Sequence, residues 1–236
     1  MCIRDRYVLV SGCAWRLPPH DLMPWDAAYC WSRTWTADGI WDRLRDVLLD
    51  RVRAADGRDP QPTAAVLDAQ SVKTSGGGAA IGCDAGERVR GRKRHLLVDT
   101  TGRVGGGCSP QPAPGYPRLS KVWADGGYAN VVDTPLIAHP REELGLELEI
   151  VRRCDDVRGF HMLPRRWVVE RSFGWLTRSR RLTRDYERKT EHAEAMIKVA
   201  MIRLMAARLT GRHIEPHGPI ETEAARRLAE DLDSDK

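Results

Sequence analysis

No run of 18 apolar residues occurs in this 236-residue chain, and no charged-then-apolar leader opens it. It therefore reads as neither membrane-spanning nor secreted. The six cysteines (Cys2, Cys13, Cys30, Cys83, Cys108, Cys154) are scattered, with no CxxC pair and no Cys/His ligand spacing. That points to free thiols in the cytosol and away from zinc. Strand formers are missing from residues 103–118, RVGGGCSPQPAPGYPR, where eight of sixteen residues are Gly or Pro and Val104 alone is β-branched. Neither a helix nor a strand can run through such a stretch.

Charge of one sign is unevenly spread. The net charge is +5, yet residues 215–236 hold seven acids against three bases, a net −4 that leaves +9 on residues 1–214. A basic body with clusters at 88–94 (RVRGRKR) and 178–188 suits a polyanionic partner.

The organisation follows from periodicity. Five of the eight tryptophans lie before residue 42, and helices are expected at about 25–36 and 40–54. In the second, Ile40, Leu44, Val47, Leu48 and Val52 form the apolar face. GRDPQPT at 57–63 is a linker by composition. A short buried strand, 64–67, then ends in Asp68; 94–100 is a second strand; 121–124 is a third, ending in Asp125 before a Gly126-Gly127 turn. A helix is expected at 134–145, a strand at 146–153, and a long helix at 190–209 with Ala193, Met196, Ile197, Ala200, Met201 and Leu204 on one face. The basic segment 164–184, PRRWVVERSFGWLTRSRRLTR, places Val169, Phe173 and Leu176 on one helical stripe and Arg166, Glu170, Gly174 and Thr177 on another.

Three acids thus hold special places: Asp68 and Asp125 at strand ends, Glu170 on a late helix. If the strands are neighbours and the helix packs across them, the carboxylates converge. Such a set, without histidine or cysteine, suits Mg²⁺ or Mn²⁺ bound through oxygen. Two such ions can drive in-line displacement at a phosphodiester, with nearby bases holding the phosphates. An ion-pair role for a lone Glu among arginines is the plainer reading of the last segment.

The blocks LDAQSVKT, GRKRHLLVDTTG, VWADGGYAN and LPRRWVVERSFGWLTRSRRLTRDYE resemble the DDE transposases of bacterial insertion sequences, specifically insertion-sequence family five in the superfamily that also holds family four. YVLVSGCAWRLPPHD resembles the helical N-terminal module of the same family. The resemblance implies an α/β, ribonuclease-H-like catalytic domain, a mixed sheet flanked by helices, at 64–212. A small helical DNA-binding domain at 1–56 would precede it, a linker at 57–63 would join them, and a polar acidic tail would occupy 213–236. It implies Asp68, Asp125 and Glu170 as catalytic and metal-binding residues. Lys73, Lys93 and Arg94 would contact DNA, together with Arg166, Arg178 and Arg181; the family's Arg-x3-Glu signature falls on Arg166 and Glu170, its Tyr position on Leu163, and its downstream base on Arg178.

The implied reaction is metal-dependent cleavage at terminal inverted repeats followed by attack of the freed 3′-hydroxyl on target DNA, carried out in the bacterial cytoplasm at the nucleoid by a homo-oligomer with no membrane partner. Two departures stand out. Residues 103–118 replace a strand and helix that the family carries there, and residues 1–6 fit none of its opening helix. The expectation drawn from them is a degraded copy in which the strand bearing Asp68 is unseated or a sheet edge is left open. An inactive remnant that only binds DNA is the main alternative. A nuclease that cuts without joining and a basic protein with no nucleic-acid role are further ones.

Overall fold

The computed structural model describes residues 3–103, 118–128, 145–151 and 167–212. The expected irregular stretch 103–118, apart from its two end residues, the helix at 134–145, apart from Gly145, and the tail at 213–236 lie outside them.

The centre is β1 (Ala64–Lys73), a strand of ten residues. On one side it pairs antiparallel with β3 (Val89–Asp99) along nine residue pairs, from Ala65 with Asp99 to Lys73 with Gly91. On the other it pairs parallel with β4 (Lys121–Asp125), from Ala64 with Lys121 to Leu67 with Ala124. The short β2 (Gly82–Asp84) adds to the outer edge of β3, and β5 (Glu147–Val151) runs parallel to β4, giving the order β2-β3-β1-β4-β5.

This mixed sheet with helices is consistent with a ribonuclease-H-like domain. The strand bearing Asp68 is seated between two partners, so it is not unseated. On the far side of β3, among the described residues, β2 pairs only with Val89 to Gly91.

Three helices precede the sheet: α1 (Ile3–Ser11), α2 (Trp25–Ala37) and α3 (Ile40–Ala55). Among the described residues three follow: α4 (Trp167–Thr177), the single turn α5 (Arg180–Thr183) and α6 (Thr190–Leu209). The segment expected as one helix at 164–184 is therefore broken, at Arg178-Ser179.

In α4 the stripe of Val169, Phe173 and Leu176 is buried as its spacing predicts. In α6 burial goes further, taking in Ala195, Val199, Ile202 and Met205 along with the expected face, of which Leu204 alone is only half-buried. Buried residues thus lie on most sides of α6, which packs against α1, α2, α3, α4 and α5. The face of α3 is turned from expectation: Trp41, Leu49 and Val52 are its fully buried apolar residues and Val47 is 51% exposed. The phase is set by contact with α6, which covers Trp41 and Leu49 rather than Val47.

The leading helices pack onto the sheet and the later helices. Leu9, Trp41, Leu49 and Val52 of the leading helices share one hydrophobic cluster with Val66, Leu96 and Val98 of the sheet and with α4 and α6. Residues 3–6 are built into this body too, with Arg4 buried and donating to the carbonyls of Pro19 and Leu22 at 3.0 and 3.2 Å.

A buried ion pair ties α3 to the sheet across the linker. The Arg53 guanidinium donates to the Asp99 carboxylate, and both side chains are nearly inaccessible. Asp99 also accepts from the Thr101 backbone and hydroxyl and from the Arg103 backbone N–H at 2.9 Å. Replacing Asp99 by Ala strands Arg53 without its counter-charge, a class of change that costs roughly 3–5 kcal/mol. Urea unfolding of Asp99→Ala is expected to show that loss; a change below about 1 kcal/mol would mean the pair does not hold α3 to the sheet.

Candidate functional site

Where the parallel ladder between β1 and β4 ends, at Leu67 and Ala124, the next residue on each strand is an aspartate. Asp68 and Asp125 therefore stand side by side on neighbouring strands, whose backbones run about 4.8 Å apart. Residues in register share a face, so both carboxylates lie on the side of Val66, Trp123 and Leu96. Asp68 is buried to 9% exposure and Asp125 is half-buried. One Asp68 oxygen accepts the Ala69 N–H at 2.7 Å.

The sequence reading put Asp68 at the end of its strand, and that is a correction: β1 runs on to Lys73 because β3 continues to pair with it. The aspartate ends only the parallel half of the ladder. Asp125 does end β4, as expected.

Two side chains that the sequence reading passed over close this end of the sheet. A 3-10 turn at Gly126–Tyr128 brings the buried Tyr128 hydroxyl to 2.6 Å from His95 Nδ1. Burial, with the carboxylates of Asp68 and Asp125 adding to it, pushes the Tyr128 phenol far above its usual range. Two negative groups thus act together on one hydroxyl. Burial, with Lys93 close by, pulls the His95 imidazole below its ordinary value.

Glu170 lies in the first turn of α4. It is exposed on α4, and its helix is hung on the far end of β3: Arg171 donates to the Thr101 carbonyl at 2.8 Å and Ser172 to the Gly102 carbonyl at 2.6 Å. That end lies beside Ala65, three residues back from Asp68, on the order of 10 Å at a strand's rise. Among the described residues no group of three or more His, Cys, Asp or Glu is placed to hold a metal ion. The two aspartates alone fit one hard cation, since Mg²⁺ is commonly held by one or two carboxylates with water completing its shell.

The expected DNA-contacting bases divide. Lys73 is exposed at the end of β1, and Lys93 is largely exposed and pairs with Asp84 at 3.1 Å. Arg178 is exposed and lines a cavity of about 320 Å³ with Arg103, Arg208, Arg212 and Trp175. Arg94 and Arg181 need correcting. Arg94 is buried and donates to the Leu182 carbonyl at 2.8 Å. Arg181 is buried, pairs with Glu187 at 2.8 Å and donates to the Cys13 carbonyl. Both hold the fold together, because a strand of alternating period turns Arg92 and Arg94 to the same inward side as Leu96. Arg166 and Leu163 lie outside the described residues.

Comparison with known proteins adds the following. Residues 142–206 match a family described as a transposase DDE domain, and residues 6–45 match a transposase of the IS4/5 family. The first segment contains Glu170; Asp68 and Asp125 lie between the two. The chain is 37% identical over 78 residues to an uncharacterized 16.2 kDa protein of insertion element IS402 from Burkholderia cepacia. That alignment takes in 32% of this chain and spans about half, 52%, of the relative. No solved structure matches. Among the described residues no helix is long and apolar enough to cross a membrane.

The depressed His95 gives a pH dependence with a definite sign. A folded-state value below the ordinary 6.5 means that the unfolded chain takes the proton first. Stability is full above about pH 6.5 and falls as the pH drops from there toward the folded value. Urea midpoints between pH 7.5 and 5 are expected to fall in the unaltered protein and to fall less in His95→Gln. Equal slopes would show that His95 carries none of the dependence.

Proposed function

The segments matched at both ends are those of a DDE transposase of the IS4/5 type, and on that premise we propose that the protein cleaves DNA at the ends of an insertion element and joins the freed end to target DNA. The observation that carries this reading is the pairing of Asp68 with Asp125 at one edge of the β1/β4 ladder. A Mg²⁺ or Mn²⁺ ion held by these two carboxylates would supply Lewis-acid polarisation of the phosphoryl group.

The chain's own residues do the rest. Asp68 and Asp125 would hold that ion at the end of the β1/β4 ladder, and through it the scissile phosphate. Lys73, Lys93 and Arg178, the exposed bases of the expected set, hold flanking phosphates and set the salt dependence of binding. In the first step water oxygen bonds to phosphorus, the P–O3′ bond breaks, and the 3′-oxygen leaves as a hydroxyl. In the second that hydroxyl attacks a target phosphodiester, so one ester bond replaces another and no outside energy source is needed. The ends of an element must be held together for joining, which calls for a homo-oligomer acting on double-stranded DNA in the cytoplasm.

A second reading is favoured by one observation: among the described residues no group of three or more His, Cys, Asp or Glu is placed to hold a metal ion. In it the protein is a transposase remnant that binds DNA without cutting it.

Nicking of supercoiled plasmid bearing the element's ends separates the two. With Mn²⁺ or Mg²⁺ the unaltered protein is expected to nick, Asp68→Asn and Asp125→Asn to lose at least about a hundredfold in rate, and DNA binding to persist in both variants. Metal-independent nicking, or nicking unchanged in both variants, would sink the catalytic assignment. Binding with no nicking at all would favour the remnant.

A further inference from the structure

A cavity of about 660 Å³ lies away from the aspartate pair. It lies between the start of the chain and the stretch joining α5 to α6, and its walls combine rings with bases: Trp15, Trp25, Tyr29, Tyr186 and His192 with Arg16, Arg33, Arg188 and Lys189. Trp25 and Tyr186 are 36% and 38% exposed, which is high for large rings in a basic wall. The Arg16 guanidinium sits 4.6 Å from the Trp25 ring centre and that of Arg181 5.0 Å from the Tyr186 ring. Trp15 meets Tyr29 edge-on at 5.4 Å, and Tyr29 meets His192 at 6.2 Å. Among the described residues no carboxylate is paired with Arg16, Arg33 or Arg188, and the one acid in the wall, Glu187, is committed to Arg181.

The wall is also rigid. Asp185 pairs with the buried Arg92 at 2.5 Å, and it is bonded into the end of β1 through Lys73 and Ser75. Arg92 further donates to the Glu187 carbonyl at 3.3 Å, and the Arg188 carbonyl accepts from the Ala79 N–H at 3.1 Å. Tyr186 and Arg188 are thereby fixed from beneath. From the other side Arg181 reaches the Cys13 carbonyl at 3.0 Å and so holds the stretch that carries Trp15 and Arg16. Such scaffolding gives the rings a fixed orientation before any ligand arrives.

Exposed rings interleaved with unpaired bases are what an unstacked base and its phosphate require, because every base has a face to stack and every linkage a charge to meet. A duplex offers the second but keeps the first buried in its own stack. We propose that this cavity binds an unpaired nucleotide within single-stranded DNA, stacking its base on Trp25 and Tyr186 and holding its phosphates with Arg16, Arg33 and Arg188. The inference rests on the DNA reading above but assigns the single strand to a place that shares no residue with the aspartate pair.

The test uses the full chain and fluorescence anisotropy with a labelled 12-residue oligothymidylate and with a 12-base-pair duplex. The double variant Trp25→Ala/Tyr186→Ala alters exposed rings. It is expected to weaken single-strand binding about tenfold or more, with less than a twofold effect on the duplex. Trp25→Phe, which keeps a stacking face, is expected to retain most of the affinity. Equal losses on both DNAs, or none on either, would overturn the proposal. So would displacement of the oligomer by thymidine 5′-monophosphate at comparable concentration, which would make the ligand a free nucleotide. Because Asp68 and Asp125 are untouched, plasmid nicking by the same variants reports the catalytic reading separately: a protein that stacks single strands but never nicks keeps this site and loses that activity.

Discussion

The parallel pairing of β1 with β4 is the constraint on which the rest depends. It covers four residue pairs and stops at Leu67 and Ala124, so that the first positions past it are Asp68 and Asp125. A slip of one residue would turn Asp125 to the opposite face and part the two carboxylates. The register is held from both flanks. β3 clamps β1 over nine pairs, and β4 is fixed to β5 by Lys121, which reaches Glu147 and Glu149 at 2.9 and 2.8 Å, and by Trp123 Nε1, which donates to Glu149 at 3.0 Å.

Buried arginines do the joining between layers. Arg53 with Asp99 ties α3 to the sheet, Arg92 with Asp185 ties the stretch after α5 to the end of β1, and Arg181 with Glu187 and Cys13 ties both to the start of the chain. Helix α6 runs through the middle of these connections and is buried nearly all round. This is why the leading helices share one hydrophobic cluster with the sheet, and why the aromatic, basic cavity exists at all: its walls come from residues some 170 positions apart in the chain. Removing one member of such a pair leaves an uncompensated charge inside, so these arginines matter to the fold more than to any bound phosphate.

Much of the sheet was legible in the sequence, and the reasons are local. Asp125 could be placed because a β-branched and aromatic run, Lys121 to Ala124, stops at a Gly-Gly turn. The α4 stripe and the core face of α6 followed from 3.6-residue spacing. What failed was whatever depends on a partner strand or layer. Asp68 lies inside β1 because β3 extends to Val89, which nothing near Asp68 announces. Arg94 was expected to contact DNA on the strength of the resemblance, although period-two counting from Leu96 and Val98 would have turned it inward. Glu170 was given the right helix, but the anchoring of that helix on Thr101 and Gly102, 70 residues earlier, has no signature in its own segment.

Binding of Mn²⁺, followed by loss of the free-ion paramagnetic resonance signal during titration of the full chain, tests the aspartate pair most directly. One ion bound per chain in the unaltered protein, with the affinity falling at least tenfold in both Asp68→Asn and Asp125→Asn and unchanged on replacing the exposed Asp21 by Asn, is the expected result. Binding that survives both substitutions, or that depends on only one of the two aspartates, would contradict a shared site at the end of the β1/β4 ladder.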